Sequence, residues 1–293
     1  MRARTAAVSA ILLVGVQACR CGREPPAPTP VPRAEAADAG AAEAALLLSS
    51  KGKVELQRQD GAWGPAALGD RVGISDGLRT PGDGEAELSV DGVRVKLHDR
   101  TELRLTAVSS GMLRARVRGR VESDVEQGRG RVSLQVQGGE AVAESSGGHF
   151  FLTAEGKSVV VAATRGAVAL AASGKTVELQ KDEMVNLQAG SIGQPARALK
   201  KVLLSVQWPG DKTNRSSVPV GGRVAAGSRV YVQGEPVEVA PSGEFHVDVR
   251  LDEGRQRIAV VTIDPFGRQA GERSEVTRDQ SPPRVQVDTP WRR

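Results

Sequence analysis

The chain has 293 residues, a formal net charge of +5 and only 3% aromatic side chains. This length allows two domains with separate cores, and the well-mixed charges favour a solvated surface over a dedicated polyanion site. With 34 glycines and 16 prolines, the composition predicts short strands joined by turns, and therefore an all-β fold. The two cysteines, Cys19 and Cys21, both precede the folded part, which excludes a disulfide framework or a cysteine metal cluster within it.

The N-terminus has the pattern of an export signal. Arg2 and Arg4 precede an apolar run over residues 6–16, which is too short to span a bilayer but has the length of a secretory signal core. The following Val-Gln-Ala-Cys resembles the lipobox of bacterial lipoproteins. The resemblance implies a signal peptide over residues 1–18, acylation of Cys19 and attachment to a membrane through that lipid anchor. An ordinary signal peptide cleaved nearby is the alternative.

The residues around Cys19 also bear on location. An Asp directly after the acylated cysteine resembles an inner-membrane retention signal. This chain has Arg20 at that position, which favours the outer membrane over the inner one. Only a few residues precede the apolar run, so no cytoplasmic segment able to hold a sigma factor is expected.

A linker rich in proline and alanine is predicted over residues 19–45. Its proline run favours an extended polyproline II spacer, which would hold the folded part away from the membrane. The alanine-rich end, residues 34–48, favours a short helix.

The stretch over residues 69–105 alternates apolar and polar residues between turns, as in Ala86, Leu88 and Val90. Asp-Gly pairs mark the turns, because their central positions require residues that tolerate positive φ. Three short strands with one face in a core are predicted, forming a half-buried antiparallel β module.

The order of residues in this stretch resembles the FecR domain pattern. The residues that carry the resemblance are Gly69-Asp70, Gly77-Leu78-Arg79-Thr80, Gly84-Glu85-Ala86-Glu87-Leu88, Asp91-Gly92, Val95-Lys96-Leu97 and Thr101-Glu102-Leu103. Residues 147–190 resemble the later part of the same pattern. The resemblance implies an all-β extracytoplasmic domain for sensing or interaction, without known catalytic residues, which we place at 46–195. Its first strand is predicted over residues 53–59, and Trp63 is expected to pack against the edge of the core.

A run of alternating arginines lies inside this predicted domain. Residues 113–126 place every second side chain on one face of a strand, where alternate residues stand roughly 6.6–6.8 Å apart. We single out a candidate surface for an anion or a partner, made of Arg114, Arg116, Arg118 and Arg120. Glu122 and Asp124 continue the same face, so an ordinary solvated strand is the alternative.

A second β domain is predicted over residues 200–275. Strand-like segments such as Phe245, Val247 and Val249 alternate between Gly243 and Gly254 turns, and the glycine and valine spacing resembles a bacterial immunoglobulin-like repeat. That resemblance implies a β-sandwich that spaces, presents or binds. A polar C-terminal tail is predicted over residues 276–293.

Several sequence patterns resemble catalytic, phosphate-binding or metal-binding motifs but lack the neighbouring structure that those motifs require. The segment Gly73-Ile74-Ser75-Asp76-Gly77 fits a nucleophile elbow, and residues 169–176 fit a relaxed phosphate loop, yet both require a following helix where strands are predicted. The three histidines, His98, His149 and His246, are far apart in sequence and no two stand at metal spacing. We therefore predict no enzyme activity, no catalytic residues, no cofactor and no metal. We also expect no nucleic-acid binding, because aromatic residues are too few to stack bases.

The sequence thus predicts a lipid-anchored cell-envelope protein with a FecR-like antiparallel β domain followed by an immunoglobulin-like β-sandwich. The favoured function is an interaction, sensing or scaffold module that engages another envelope protein through strand edges. The alternative is binding of an envelope glycan, either peptidoglycan or an anionic polysaccharide.

Overall fold

The computed structural model describes residues 44–281, and every regular element in them is a β-strand. The fold class predicted from composition, all-β, is confirmed. In this part of the chain no helix is long and apolar enough to cross a membrane. The predicted signal peptide, Cys19, most of the linker and the end of the polar tail lie outside the described residues.

The first eighteen strands build the first sandwich. They are β1 (Ala45–Lys51), β2 (Glu55–Gln57), β3 (Trp63–Pro65), β4 (Arg71–Val72), β5 (Gly77–Thr80), β6 (Glu85–Val90), β7 (Val93–Leu97), β8 (Thr101–Ser109), β9 (Met112–Val125), β10 (Arg131–Val136), β11 (Val142–Ser145), β12 (Gly148–Glu155), β13 (Ser158–Gly166), β14 (Val168–Ala172), β15 (Lys175–Leu179), β16 (Glu183–Gln188), β17 (Ser191–Ile192) and β18 (Ala196–Arg197).

Two sheets share these strands, and β9 takes part in both. Sheet A runs in the order β4, β1, β6, β7, the second half of β9, β12, β13 and β16, with β17 and β18 at its end. Sheet B runs β3, β2, β5, β8, the first half of β9, β10, β11, β14 and β15. All pairs are antiparallel except β9 with β10.

One apolar cluster fills the space between the two sheets. Leu97, Val121 and Leu152 come from sheet A, and Leu103 and Leu134 come from sheet B. In β6 the side chains alternate between buried and half-exposed, as the sequence pattern predicted. Period-two alternation thus specifies which face of each strand enters the core.

The helix predicted over residues 34–48 is wrong where the structure describes it. Ala45 and Leu47 are buried while Leu46 and Leu48 are exposed, and β1 pairs with both β4 and β6. Two ladders and a buried alternate face outweigh the helix propensity of alanine and leucine. The strand predicted over 53–59 is shorter, Glu55–Gln57, and is preceded by β1.

The second sandwich contains eight further strands. They are β19 (Leu204–Gln207), β20 (Lys212–Thr213), β21 (Ser217–Val224), β22 (Arg229–Val232), β23 (Glu235–Val237), β24 (Glu244–Arg250), β25 (Gly254–Ile263) and β26 (Gln269–Arg278). A three-stranded sheet (β19, β21, β24) faces a five-stranded sheet (β20, β26, β25, β22, β23) across a second apolar cluster, against which Trp208 packs. Strand β26 continues to Arg278, past the predicted domain end at residue 275.

Candidate functional site

Strand β9 carries the predicted arginine surface and passes from one sheet to the other. Residues Met112 to Arg118 pair with β8 and β10 in sheet B, whereas residues Gly119 to Val125 pair with β7 and β12 in sheet A. Gly119 lies at the crossing with a φ of +100°. The structure exposes Arg114, Arg116 and Arg118 on the outer face of sheet B.

Arg120 does not join the other three arginines. Its side chain is 1% exposed, its Nη2 donates to the backbone carbonyl of Asp264 at 2.9 Å, and its guanidinium lies 5.0 Å from the Phe151 ring. Burial, followed by repulsion from Arg229, lowers the pKa of Arg120 to about 10. The predicted row of four exposed arginines is wrong at this position, because β9 has entered sheet A and the second sandwich covers it.

His98 and His149 meet at Glu122, although they are far apart in sequence. Nε2 of His149 lies 2.7 Å from one Glu122 oxygen, and Nε2 of His98 lies 3.4 Å from the other. Pairing of β9 with β7 and β12 brings the three together, so only the strand register could have revealed the cluster. Within residues 44–281 no three side chains of His, Cys, Asp or Glu are arranged to hold a metal ion.

The histidines control the charge state of this carboxylate. The hydrogen bond with His149, and then the nearby His98, hold the pKa of Glu122 well below its ordinary value, against the opposing effect of partial burial. Phe151 packs edge-on against His149, with ring centroids 5.3 Å apart, and closes one side of the cluster. The group therefore links β9 and β12 of sheet A to the residue that follows β7.

This lowered pKa predicts acid sensitivity. The folded-state pKa lies below the unfolded one, so the stabilisation is present above the ordinary Glu pKa of about 4.3 and is lost as pH falls through that value toward the folded pKa. We expect the free energy of unfolding of Glu122→Gln to fall less than that of the wild type between about pH 5.5 and pH 3. Urea denaturation at both pH values measures this. Glu126→Gln, at an exposed position, should keep the wild-type slope, and equal slopes in all three proteins would contradict the assignment.

The second sandwich covers the outer face of sheet A at β12 and β13. Phe151, Val160 and Ala162 are buried yet belong to neither apolar cluster, and Phe266 of the second sandwich is also buried outside both. The approach is close, since a Cβ on Gly267 would stand 2.6 Å from the Phe151 ring. The unbroken apolar run in β13 was a sequence signal of this junction, because a strand buried on both faces loses its alternation.

Ion pairs complete this junction between the sandwiches. Arg229, 5% exposed, donates from Nη1 to Asp99 Oδ1 at 2.5 Å and from Nη2 to Glu155 Oε1 at 3.1 Å. The Tyr231 hydroxyl donates to the same Asp99 oxygen at 3.1 Å. Burial and the Asp99 charge raise the pKa of Tyr231. The junction therefore combines apolar contacts with charged groups that are themselves shielded from solvent, since Arg120 and Arg229 are both buried in it.

Comparison with known families assigns both sandwiches. The family model described as FecR protein matches residues 76–169, which run from the turn before β5 into β14. This chain contains a FecR domain. The model described as glucodextranase, domain B, matches residues 203–280, the second sandwich, so the FecR domain is followed by an immunoglobulin-like β domain. No curated protein matches the sequence.

Solved structures with partial similarity were also found. Two structures assigned as an anti-sigma factor from Parabacteroides distasonis are 16% and 17% identical, each covering 42% of this chain and 59% of the other at a TM-score of 0.37. A polysaccharide lyase is 12% identical, covering 81% of this chain and 40% of the other at a TM-score of 0.22. The chain therefore spans less than two thirds of each of these proteins.

The segments that match a nucleophile elbow and a phosphate loop lie on turns between strands. Residues 73–76 form the turn that leads from β4 into β5, which begins at Gly77, and Ser173-Gly174 turn the chain between β14 and β15. Neither leads into a helix, so the backbone amides that a nucleophile elbow or a phosphate loop requires are not presented there.

Proposed function

We propose that this FecR-domain protein is a non-catalytic, lipid-anchored component of the cell envelope that presents an interaction surface to another envelope protein. The observation that carries the proposal is the junction between the two sandwiches. Phe151 and Phe266 pack there while Arg229 bridges Asp99 and Glu155, so both domains form one continuous body. Such a body can hold a binding edge at a defined distance from an anchor.

The open edge of sheet B is the favoured contact. Strand β15 pairs with β14 along one side, and its Lys175, Thr176 and Glu178 side chains are exposed. An edge strand presents unpaired backbone donors and acceptors that an extended partner segment can complete, and charged residues on it limit indiscriminate pairing. Strand β15 therefore offers selective β-augmentation.

The anchor is proposed from the sequence, since Cys19 lies outside the described residues. Acyl chains on Cys19 would attach the protein, and the proline-rich linker would extend at about 3.1 Å per residue away from the bilayer. The Arg20 that follows favours delivery to the outer membrane over retention at the inner one.

Site-specific crosslinking in cells tests the proposal. A photoreactive residue at Thr176 of β15 should capture one recurring envelope protein, identified by mass spectrometry. The same residue at Arg94, which is exposed on β7 between two paired strands, should capture none. In Cys19→Ala the protein should leave the membrane fraction and lose the crosslink. Equal capture from both positions would refute the edge contact, and an unchanged membrane fraction would refute the anchor.

A further inference from the structure

A row of six residues, four of them Gln or Arg, crosses the outer face of sheet B at right angles to the strands. Each member pairs with the next across the ladder, in the order Trp63, Gln57, Gly77, Arg104, Arg116 and Gln135. The neighbours of these residues along each strand, such as Leu56, Leu103 and Val117, are buried in the core, so the row faces outward. Strands stand about 4.8 Å apart, which makes the row roughly 24 Å long.

Two arginines stand side by side in this cross-strand row. Arg104 is held in place, since its Nη1 donates to the carbonyls of Gln59 at 3.2 Å and Ser75 at 2.9 Å, and its Nη2 donates to Gln57 Oε1. Arg116 is exposed and has no salt-bridge partner within residues 44–281. The exposed Asp60, 3.8 Å from Arg104 Nη1, offsets the charge of Arg104 only weakly, so the two adjacent positive charges repel each other and an anionic ligand relieves the repulsion.

The surface between these arginines and the β10 turn is concave. Arg104, Arg116 and Gln135 line a depression of about 460 Å³, bounded by the loop from Gln137 to Glu140. The carboxylates nearby lie at its border: Glu140 lines the loop side, and Asp60 approaches Arg104 Nη1 at 3.8 Å. Arg114 and Arg118 flank Arg116 along β9 and extend the positive surface, while Glu102 stands opposite Arg118.

We propose that this cross-strand row binds a polysaccharide that carries carboxylate groups. The planar guanidinium group of Arg116 can pair with a carboxylate in a bidentate geometry, and the fixed charge of Arg104 beside it adds attraction. The amide of Gln135 offers both donors and an acceptor, which suits the hydroxyl groups of sugars, whereas the amide of Gln57 is bonded to Gly61 and Arg104. An elongated, open face accommodates a polymer chain, whereas a small ligand requires an enclosed pocket.

A nucleic acid fits this face less well than a glycan. Single-stranded nucleic acids bind through bases stacked on aromatic rings, and the row holds one aromatic residue, Trp63. Arg79 already stacks on the Trp63 ring, with its guanidinium carbon 4.3 Å from the ring centroid. The inference extends the proposed function and rests on it only in placing the protein where envelope glycans occur.

Binding of defined polymers to the purified full chain tests this inference. In affinity electrophoresis or calorimetry we expect polygalacturonate to bind, neutral dextran not to bind, and polyphosphate to bind more weakly than polygalacturonate. Arg116→Gln should weaken polygalacturonate binding roughly tenfold, the loss typical of one charge-assisted contact. Gln135→Ala should weaken it by a smaller factor without changing the net charge.

The matched control is Arg223→Gln, which removes the same charge from an exposed strand position of the second sandwich. It should bind polygalacturonate like the wild type. Equal losses in Arg116→Gln and Arg223→Gln would show nonspecific charge attraction and overturn the assignment. Absence of polygalacturonate binding, or tighter binding of polyphosphate, would overturn the carboxylate glycan. These assays use no cells, so their failure leaves the crosslinking result at β15 unaffected.

Discussion

Gly119→Ala is expected to destabilise the protein by roughly 3–5 kcal/mol, because positive-φ strain and steric overlap add at this position. Gly119 has a φ of +100°, and a Cβ there would stand 2.7 Å from the Arg100 carbonyl oxygen and 2.7 Å from the Thr101 Cα. Both contacts involve backbone, which cannot move aside as a side chain can. Since β9 crosses between the sheets at this residue, the strain would disturb both. Urea denaturation of the full chain measures the loss.

Gly128→Ala separates the two contributions to that loss. Gly128 also has a positive φ, +79°, but a Cβ there meets nothing within 4 Å. It should therefore cost only about 1 kcal/mol, the price of the backbone conformation alone. If both variants lose the same stability, steric overlap at the crossing of β9 is not the reason for glycine at position 119.

Arg229→Ala should destabilise the protein by roughly 3 kcal/mol, because it removes the buried cation from the partly buried Asp99 carboxylate. Asp99 would lose both contacts with Arg229, at 2.5 Å to its side chain and 3.1 Å to its carbonyl. It would keep the Tyr231 hydroxyl as a donor and the more exposed Arg100, whose Nε lies 3.4 Å away. Glu155 is more exposed and regains water, so most of the loss comes from Asp99. We also expect the wild type to unfold in one transition and the variant in two, as the junction weakens.

Arg255→Ala is the matched control for this prediction. Arg255 lies in the same sandwich and pairs with Glu275, but its side chain is 72% exposed. Exposed pairs typically contribute less than about 1 kcal/mol, since water competes for both charges. Equal effects of the two variants would mean that the Arg229 pairs are not shielded from solvent and that the junction depends on its apolar contacts.

The sequence pattern of strand β9 predicted most of its exposed residues correctly but was wrong at Arg120. Alternation correctly predicted a strand over residues 113–125 and the exposed positions of Arg114, Arg116 and Arg118. It also placed Arg120 on the same face, because period-two patterning assumes a regular strand. Whether that face meets water depends on which sheet the residue has joined and on what covers the sheet, and both depend on distant segments.

The histidine cluster had no comparable signal. Glu122 and His149 lie on β9 and β12, His98 directly follows β7, and their separation in sequence carries no information about contact. The pairing of β9 with β7 and β12 brings His149 within hydrogen-bonding distance of Glu122 and places His98 3.4 Å from it. The apolar run in β13 did carry a signal of the junction, but it could not reveal that the covering surface would be the second sandwich.

The sequence alone determined the all-β class, the FecR and immunoglobulin-like resemblances and the alternate burial along most strands, because turn chemistry and period-two patterning are local properties of the chain. Only the tertiary structure decided that Arg120 is buried, that Arg229 joins the two domains and that Arg104 and Arg116 stand side by side. Those contacts depend on ladder register and domain packing, which follow from the summed burial of residues far apart in sequence.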